Sequence, residues 1–315
     1  QSATVGVEVQ AIEDAPSAGT LGARREGTGV VIAPQGLVLT IGYLVLEAQS
    51  VQLVTHEGRR IPAQVAVYDP VTGLGLLKPL LPLAGVKSLS PSLDTVGGFA
   101  RSVDDVALFI GALARLDLSP EALERPRVGL CRTPHWEQAD DDARRAWNDA
   151  AQALKDAGAE LVEVELPESW AGLAQAQMDI MNYEARSSFA AERREQAGGF
   201  SEPFAQVLAG GDAVDRQRLF GAQELAVRLR AELETLFRLT DVLLAPSARG
   251  EAPAGLGSTG DPVFSRMWSL LGAPCVQVPA GRGRLGLPLG VTLVGPRWHD
   301  TRVLGAARML EQALG

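Results

Sequence analysis

The feature that most constrains this chain is a change of hydrophobic period near residue 86. Before it, apolar residues alternate or run in short blocks between turn residues. Gly27-Thr28-Gly29 leads into Val30-Val31-Ile32-Ala33, Pro34-Gln35-Gly36 makes a turn, and Leu37-Val38-Leu39-Thr40 runs on. Val51-Gln52-Leu53-Val54 alternates, His56-Glu57-Gly58 turns, and Ile61 to Val67 alternates again. Short strands joined by Pro and Gly turns predict a small barrel or sandwich over residues 1–86.

Beyond that point the period becomes helical. Val103 to Leu116 repeats apolar positions at helical spacing, with Ser102 as a cap and Asp104 and Asp105 in the first turn. Arg127 to Cys131 reads as a strand. Asp140-Asp141-Asp142 opens a helix that runs to about Ala157 and stops at Gly158, and Leu161 to Val164 is the next strand. Helical patterns cover 171–192 and 214–238, and Val242 to Pro246 is a buried strand. Val276 to Pro279 and Leu289 to Val294 are strands joined by a Gly-rich turn, and Thr301 to Leu314 closes the chain as an amphipathic helix. Strands alternating with helices predict an α/β region. The join falls near Leu83–Ser88 and carries no flexible linker.

With 315 residues, 46% apolar and 21% charged, the chain has the composition to bury a core in each of two domains. A formal charge of -9, with no basic run among aromatics, argues against a nucleic-acid or anionic-membrane surface. No stretch approaches the roughly 18 uninterrupted apolar residues of a membrane span. The chain opens Gln1-Ser2-Ala3, without an initiator Met or an export segment, and is expected to be processed, trimmed or partial. A soluble protein of either cytoplasm or periplasm is expected. Cys131 and Cys275 each sit in an apolar run, which predicts buried free thiols and leaves a disulfide open.

Most chemical motifs are missing. Gly281-Arg282-Gly283-Arg284-Leu285-Gly286 fits a dinucleotide-binding pattern, but Pro288 and a strand follow it instead of a helix, so a hairpin loop is predicted. His56, His135 and His299 are isolated from one another and from cysteine, so no metal site is predicted. His299-Asp300 suits an exposed helix cap. There is no Gly-x-Ser-x-Gly elbow, and no Gly/Ser-rich loop that could hold a second nucleophile is read after Lys78 or Lys87. Lys155 lies on an amphipathic helix between Leu154 and Asp156, where a solvated face is expected. No cofactor is expected.

The segment Ser90-Pro91-Ser92-Leu93-Asp94-Thr95-Val96-Gly97-Gly98-Phe99-Ala100-Arg101-Ser102-Val103-Asp104-Asp105 resembles the amidase signature family. So do Asp241 to Ser247, Leu271 to Gly281, and Gly286 to Pro296, in the family's order. The resemblance covers about residues 88–315. It implies hydrolysis of small amides by a serine nucleophile, relayed through a second serine in a cis peptide and a lysine. In the family all three lie upstream of the Ser90 segment, and none has a counterpart here. The resemblance places Asp94 and Thr95 beside the active-site loop as supporting or pocket-lining groups. Their chemistry fits equally a turn and hydrogen-bond network leading into a helix.

Residues 1–86 resemble the first barrel of periplasmic trypsin-like proteases through Glu26 to Ile32, Gly36 to Thr40 and Asp69-Pro70-Val71-Thr72. The family's histidine position is Tyr43 and its aspartate position is Gly73, and neither residue performs a triad role. The expected architecture is therefore an α/β amidase-like mixed-sheet region, residues 87–315, preceded by a small all-β trypsin-like half-barrel, residues 1–86. The expected function is that of an amidase-family hydrolase, catalytically incompetent in this truncated, chimeric bacterial chain. A small amide would be its substrate only if another chain supplied the missing catalytic half. The alternative is a non-catalytic peptide-binding or sensor module built on the pseudo-protease barrel. Exposed strand edges and apolar surface, with self-association through those edges, are also expected.

Overall fold

The computed structural model describes residues 4–12, 15–32, 38–56, 58, 60–69, 72, 74–79, 86–114 and 116–315. Contacts divide it into two compact units, one of residues 1–86 with 112–116 and one of residues 87–111 with 117–315. The Pro34-Gln35-Gly36 turn, Gly73 and residues 83–85 of the join lie outside the described residues.

In the first unit the alternating segments form β1 (Thr4–Ala11), β2 (Arg24–Val31), β3 (Val38–Ile41), β4 (Ala48–Val54), β5 (Arg60–Asp69) and β6 (Leu74–Pro79). Two single-turn helices interrupt them, α1 (Ala18–Leu21) and α2 (Gly42–Val45). Every neighbouring pair is antiparallel, and the order β1-β2-β3-β6-β5-β4 closes through the pairing of β1 with β4. The unit is thus a closed barrel and not a sandwich. Its interior is the alternate residues of the strands, Val7, Val9, Val38, Val51 and Leu53, plugged by Leu44 and Val45 from α2. Gly29 is required by this packing, because a Cβ there would lie 2.3 Å from Val38 Cγ1. Arg25 is buried, and its guanidinium donates to the carbonyls of Gly22 (2.9 Å), Tyr43 (3.0 Å) and Leu46 (2.6 Å) and to Ser17 Oγ (2.7 Å). Ser17 in turn donates its N–H and its hydroxyl to Glu47.

The second unit is built on β7 (Arg127–Cys131), β8 (Glu160–Val164), β9 (Val242–Pro246), β10 (Cys275–Arg282) and β11 (Pro288–Val294). Their order is β10-β11-β9-β7-β8. β7 runs parallel to β8 and β9, whereas β11 is antiparallel to β9 and β10, so the sheet is mixed as expected. The continuous apolar runs of β7 and β9 are explained by burial on both faces.

The helices are α3 (Val103–Ala114), α4 (Asp141–Asp156), α5 (Leu173–Ser188), α6 (Ala190–Glu195), α7 (Glu202–Asp212), α8 (Arg216–Leu236), α9 (Val263–Leu271) and α10 (Asp300–Leu314). One sheet face packs on Val103 and Ala107 of α3, Trp147 and Leu154 of α4, and Val303 and Leu310 of α10. The other packs on Leu173 and Ile180 of α5, Leu229 and Leu233 of α8, and Trp268 and Leu271 of α9. Trp147 Nε1 donates to the Leu244 carbonyl (3.1 Å), satisfying the indole inside the core.

Caps fall where the sequence puts them. Asp140 accepts from Ala143 N (2.8 Å), and Gly158 takes φ 102° just past α4. Ser102 Oγ accepts from Asp105 N (3.1 Å), and Glu311 of α10 accepts from Val103 N (3.0 Å). His299 is the cap position of α10 and is exposed, though its side chain makes no capping bond.

Candidate functional site

The Ser90 segment holds the residues with the strongest chemical reading, and the fold ties them into a closed turn. Asp94 accepts from Ser88 Oγ (2.7 Å), Leu89 N (2.8 Å) and Ser90 N (3.1 Å), while its own N–H donates to the Ser90 carbonyl (2.8 Å). Ser90 is 1% exposed. Its hydroxyl donates to Glu184 Oε2 of α5 (2.6 Å), and Ser92 N donates to the same oxygen (3.0 Å). The Asp94 carboxylate therefore reaches back to close the turn over residues 88–90, and Glu184 bolts that turn to α5. Thr95 is exposed. Phe99 further on is fully exposed.

This arrangement brings two serine–carboxylate contacts together but makes neither a catalytic pair. An attacking hydroxyl needs a base on one side and open access to a carbonyl carbon on the other. Ser90 has the carboxylate and no access. Ser247 and Thr292 also meet, hydroxyl to hydroxyl at 2.7 Å, half-buried and bonded to each other. Lys87 Nζ pairs with Glu192 (2.6 Å) and lies 4.8 Å from the Phe189 ring centre; that ammonium holds the Glu192 carboxyl below its usual range. Lys155 sits exposed in the last turn of α4. A depression of about 470 Å³ is lined by Asp149, Gln152, Ala153, Asp156, Ala157 and Ala313, which include neither Asp94 nor Thr95.

The cysteines are free. Cys131 is wholly buried, and burial pushes its thiol up to about 12, far from a reactive thiolate. Cys275 lies on the outer strand β10 and is exposed as a whole residue, against the expectation that its apolar run would bury it, yet its thiol is enclosed and burial pushes it up to about 12. Among the described residues no group of three His, Cys, Asp or Glu side chains is placed to hold a metal.

The glycine motif lies in the β10–β11 hairpin, with Gly281 and Gly286 at φ 103° and 80°. The amides that a pyrophosphate would need are held by the protein's own carboxylates. Glu251 accepts from Leu285 N (3.0 Å) and Leu287 N (2.8 Å), and Asp142 accepts from Arg284 N (2.9 Å). That backbone bond, then Arg145, keeps the Asp142 carboxyl below its usual range.

In the barrel, Tyr43 stands on α2 with its side chain at the surface, and its carbonyl is held by Arg25. Gly73 lies outside the described residues. Sequence reasoning does not find Glu184, Arg25, Glu47, Glu251 or Asp142. Each acts on a segment distant in the chain or through a backbone amide, and local pattern carries no such signal.

The model of the amidase family matches residues 60–304, and the chain belongs to that family. The match begins at the first residue of β5, upstream of the segment at Ser90, so β5 and β6 of the barrel fall within it. Among curated proteins, the chain is 30% identical over 293 residues to a glutamyl-tRNA(Gln) amidotransferase subunit of Novosphingobium aromaticivorans, covering 76% of this chain and 59% of the relative. It is 32% identical over 276 residues to the protein of that name from Rhodospirillum rubrum, covering 73% and 55%. A crystallographically solved amidase superposes with a TM-score of 0.66 at 28% identity, over 72% of this chain and 55% of the other. The chain thus spans somewhat over half the length of these relatives. The first alignment is also longer than the 76% of 315 residues that it uses, so that relative carries residues inside the matched stretch with no counterpart here. Among the described residues no helix is long and apolar enough to cross a membrane.

Proposed function

We propose that this chain is an amidase-family protein that does not hydrolyse amides on its own. In this reading residues 1–86 are a degenerate trypsin-like barrel and residues 87–315 the C-terminal part of an amidase-like α/β domain. The observation that supports the proposal is the state of Ser90, which is hidden from solvent and donates a hydrogen bond to Glu184 within a closed turn, so it does not stand in for the nucleophile that the family carries further upstream. Asp94 then serves the turn and not a substrate. The residues of the relative that lack a counterpart here agree with a lost catalytic segment. The relatives are named as subunits, which supports a role in which a small amide is processed only when another chain supplies nucleophile and relay.

The test is an assay of the full chain against aryl and aliphatic amides and glutamine. No turnover above background is expected. Measurable hydrolysis that is abolished by a serine-directed phosphonate would overturn the proposal.

A second reading, peptide capture by the barrel, rests on its outer surface. Val30, Ile41 and Leu74 project from the adjacent strands β2, β3 and β6 and are each more than two-fifths exposed, with Tyr43 close along the chain. Capture of an extended apolar peptide that is lost in Ile41→Lys would favour this reading. An unchanged affinity in that variant would remove it.

A further inference from the structure

We propose that Arg230 and Arg297 form a binding site for a small oxyanion, a phosphate or carboxylate group, at the C-terminal end of α9. Arg230 lies on α8 and Arg297 follows β11, and both are half-buried. An Arg230 Nη donates to the Leu270 carbonyl (2.5 Å). Two residues on, Gly272 closes α9 at φ 67°, and a Cβ built there would lie 3.4 Å from Arg297 Nε and 3.7 Å from its Nη2. The two guanidinium groups therefore converge on one short stretch of backbone. The Arg297 group is held over the Trp298 ring, 4.8 Å from its centre.

Cations at a helix C-terminus are favourable, and the Leu270 carbonyl accounts for one N–H of Arg230. It does not account for the rest. The Nε atoms of both arginines are buried without a hydrogen-bond partner. The ion pairs among the described residues join many of the other arginines to carboxylates but include neither of these two. Burial and the facing Arg297 charge bring Arg230 down to about 10. Burial lowers Arg297 as well, opposed by Glu234, an exposed carboxylate one turn along α8 from Arg230. Buried charged donors left unmet, in a pair of like charge, are destabilising. An oxyanion between the two planar forks supplies acceptors to both, the recognition to which guanidinium is best suited. The site uses no residue of the Asp94 turn and stands whether or not the chain hydrolyses amides.

The full chain is titrated with sodium phosphate or sodium glutarate at constant ionic strength, with sodium chloride as the reference. Thermal unfolding is followed by far-ultraviolet circular dichroism, and binding heat by calorimetry. A saturable rise in midpoint with at least one of the two anions is expected, and none with chloride. A response to phosphate alone assigns a phosphoryl ligand, and one to glutarate alone a carboxylate. Arg297→Gln removes one charge and keeps a planar group over Trp298. It should raise the midpoint in chloride and abolish the response to the anion. Arg230→Met should do the same. A wild-type response no larger than that of chloride overturns the proposal, as does a response that survives in Arg297→Gln. Wild-type calorimetry decides the matter even where a variant does not fold.

Discussion

Ser90 shows how one side chain separates two roles that a motif leaves superimposed. A serine and a carboxylate within 2.6 Å would suit a nucleophile, but burial makes the same contact a strut. Ser90→Ala should cost about 1–3 kcal/mol, because Glu184 keeps only the Ser92 amide as a partner in a part-buried place. Glu184→Ala should cost more, since it strands two donors. All five tryptophans, Trp136, Trp147, Trp170, Trp268 and Trp298, lie in the second unit, so urea unfolding followed by their fluorescence reads the relevant part. Equal stability of wild type and Ser90→Ala would refute the strut.

Asp142 offers a pH test with a definite sign. Its folded carboxyl titrates below the ordinary value of about 3.9, so its stabilising contribution is complete above that value. The contribution is lost as pH falls through the lowered folded value. Asp142→Asn should be less stable near neutrality and show a flatter acid limb, and superimposable limbs would count against the assignment. None of these partners is legible locally. Glu184 lies 94 residues from Ser90, and Arg284 lies 142 from Asp142.

At the scale of elements, close approach decides where glycine is kept. On α10 a Cβ at Gly305 would lie 2.2 Å from the Glu121 carbonyl oxygen, and Glu121 N is itself bonded to the Thr301 carbonyl (2.9 Å). On α8 a Cβ at Gly221 would meet nothing within 4 Å. Intrinsic propensity favours alanine at both by about 1 kcal/mol. Gly221→Ala should show that gain, whereas Gly305→Ala should lose about 1–3 kcal/mol by forcing α10 from residue 121. The same fluorescence-monitored unfolding measures both, and a stabilised Gly305→Ala would disprove the contact.

These contacts also mark what the hydrophobic period reveals. It locates β7, β8, β9, β11, α4, α8 and α10, because each has one apolar face or a continuous buried run. It misses α7, where Gly210-Gly211 lowers helix propensity in the last turn. Gly211 stays because a Cβ there would lie 2.2 Å from the Asn182 carbonyl oxygen of α5. Strand order and barrel closure are properties of pairing between distant segments, and no period encodes them.

For the whole molecule, the open question is what the outer strands of the mixed sheet do. Neither β8 nor β10 has a neighbour on its outer side among the described residues, and such edges template association. Each is blunted. β10 carries Pro279, which withholds a donor, and β8 carries Glu160 and Glu163, the latter paired with Arg132 at 2.9 Å. The chain's charge of -9 adds repulsion between copies. Edge pairing is short-ranged and the repulsion is not, so salt should tip the balance. Screening shortens from about 10 Å at 0.1 M to about 3 Å at 1 M. Sedimentation velocity should therefore find a monomer at low ionic strength and a mass that grows with salt and with concentration. Glu163→Val removes a charge from the edge and leaves an apolar strand, so it should bring the growth to lower salt. If wild type and Glu163→Val remain monomeric throughout, the edges are closed by something other than charge, and self-association through them is wrong.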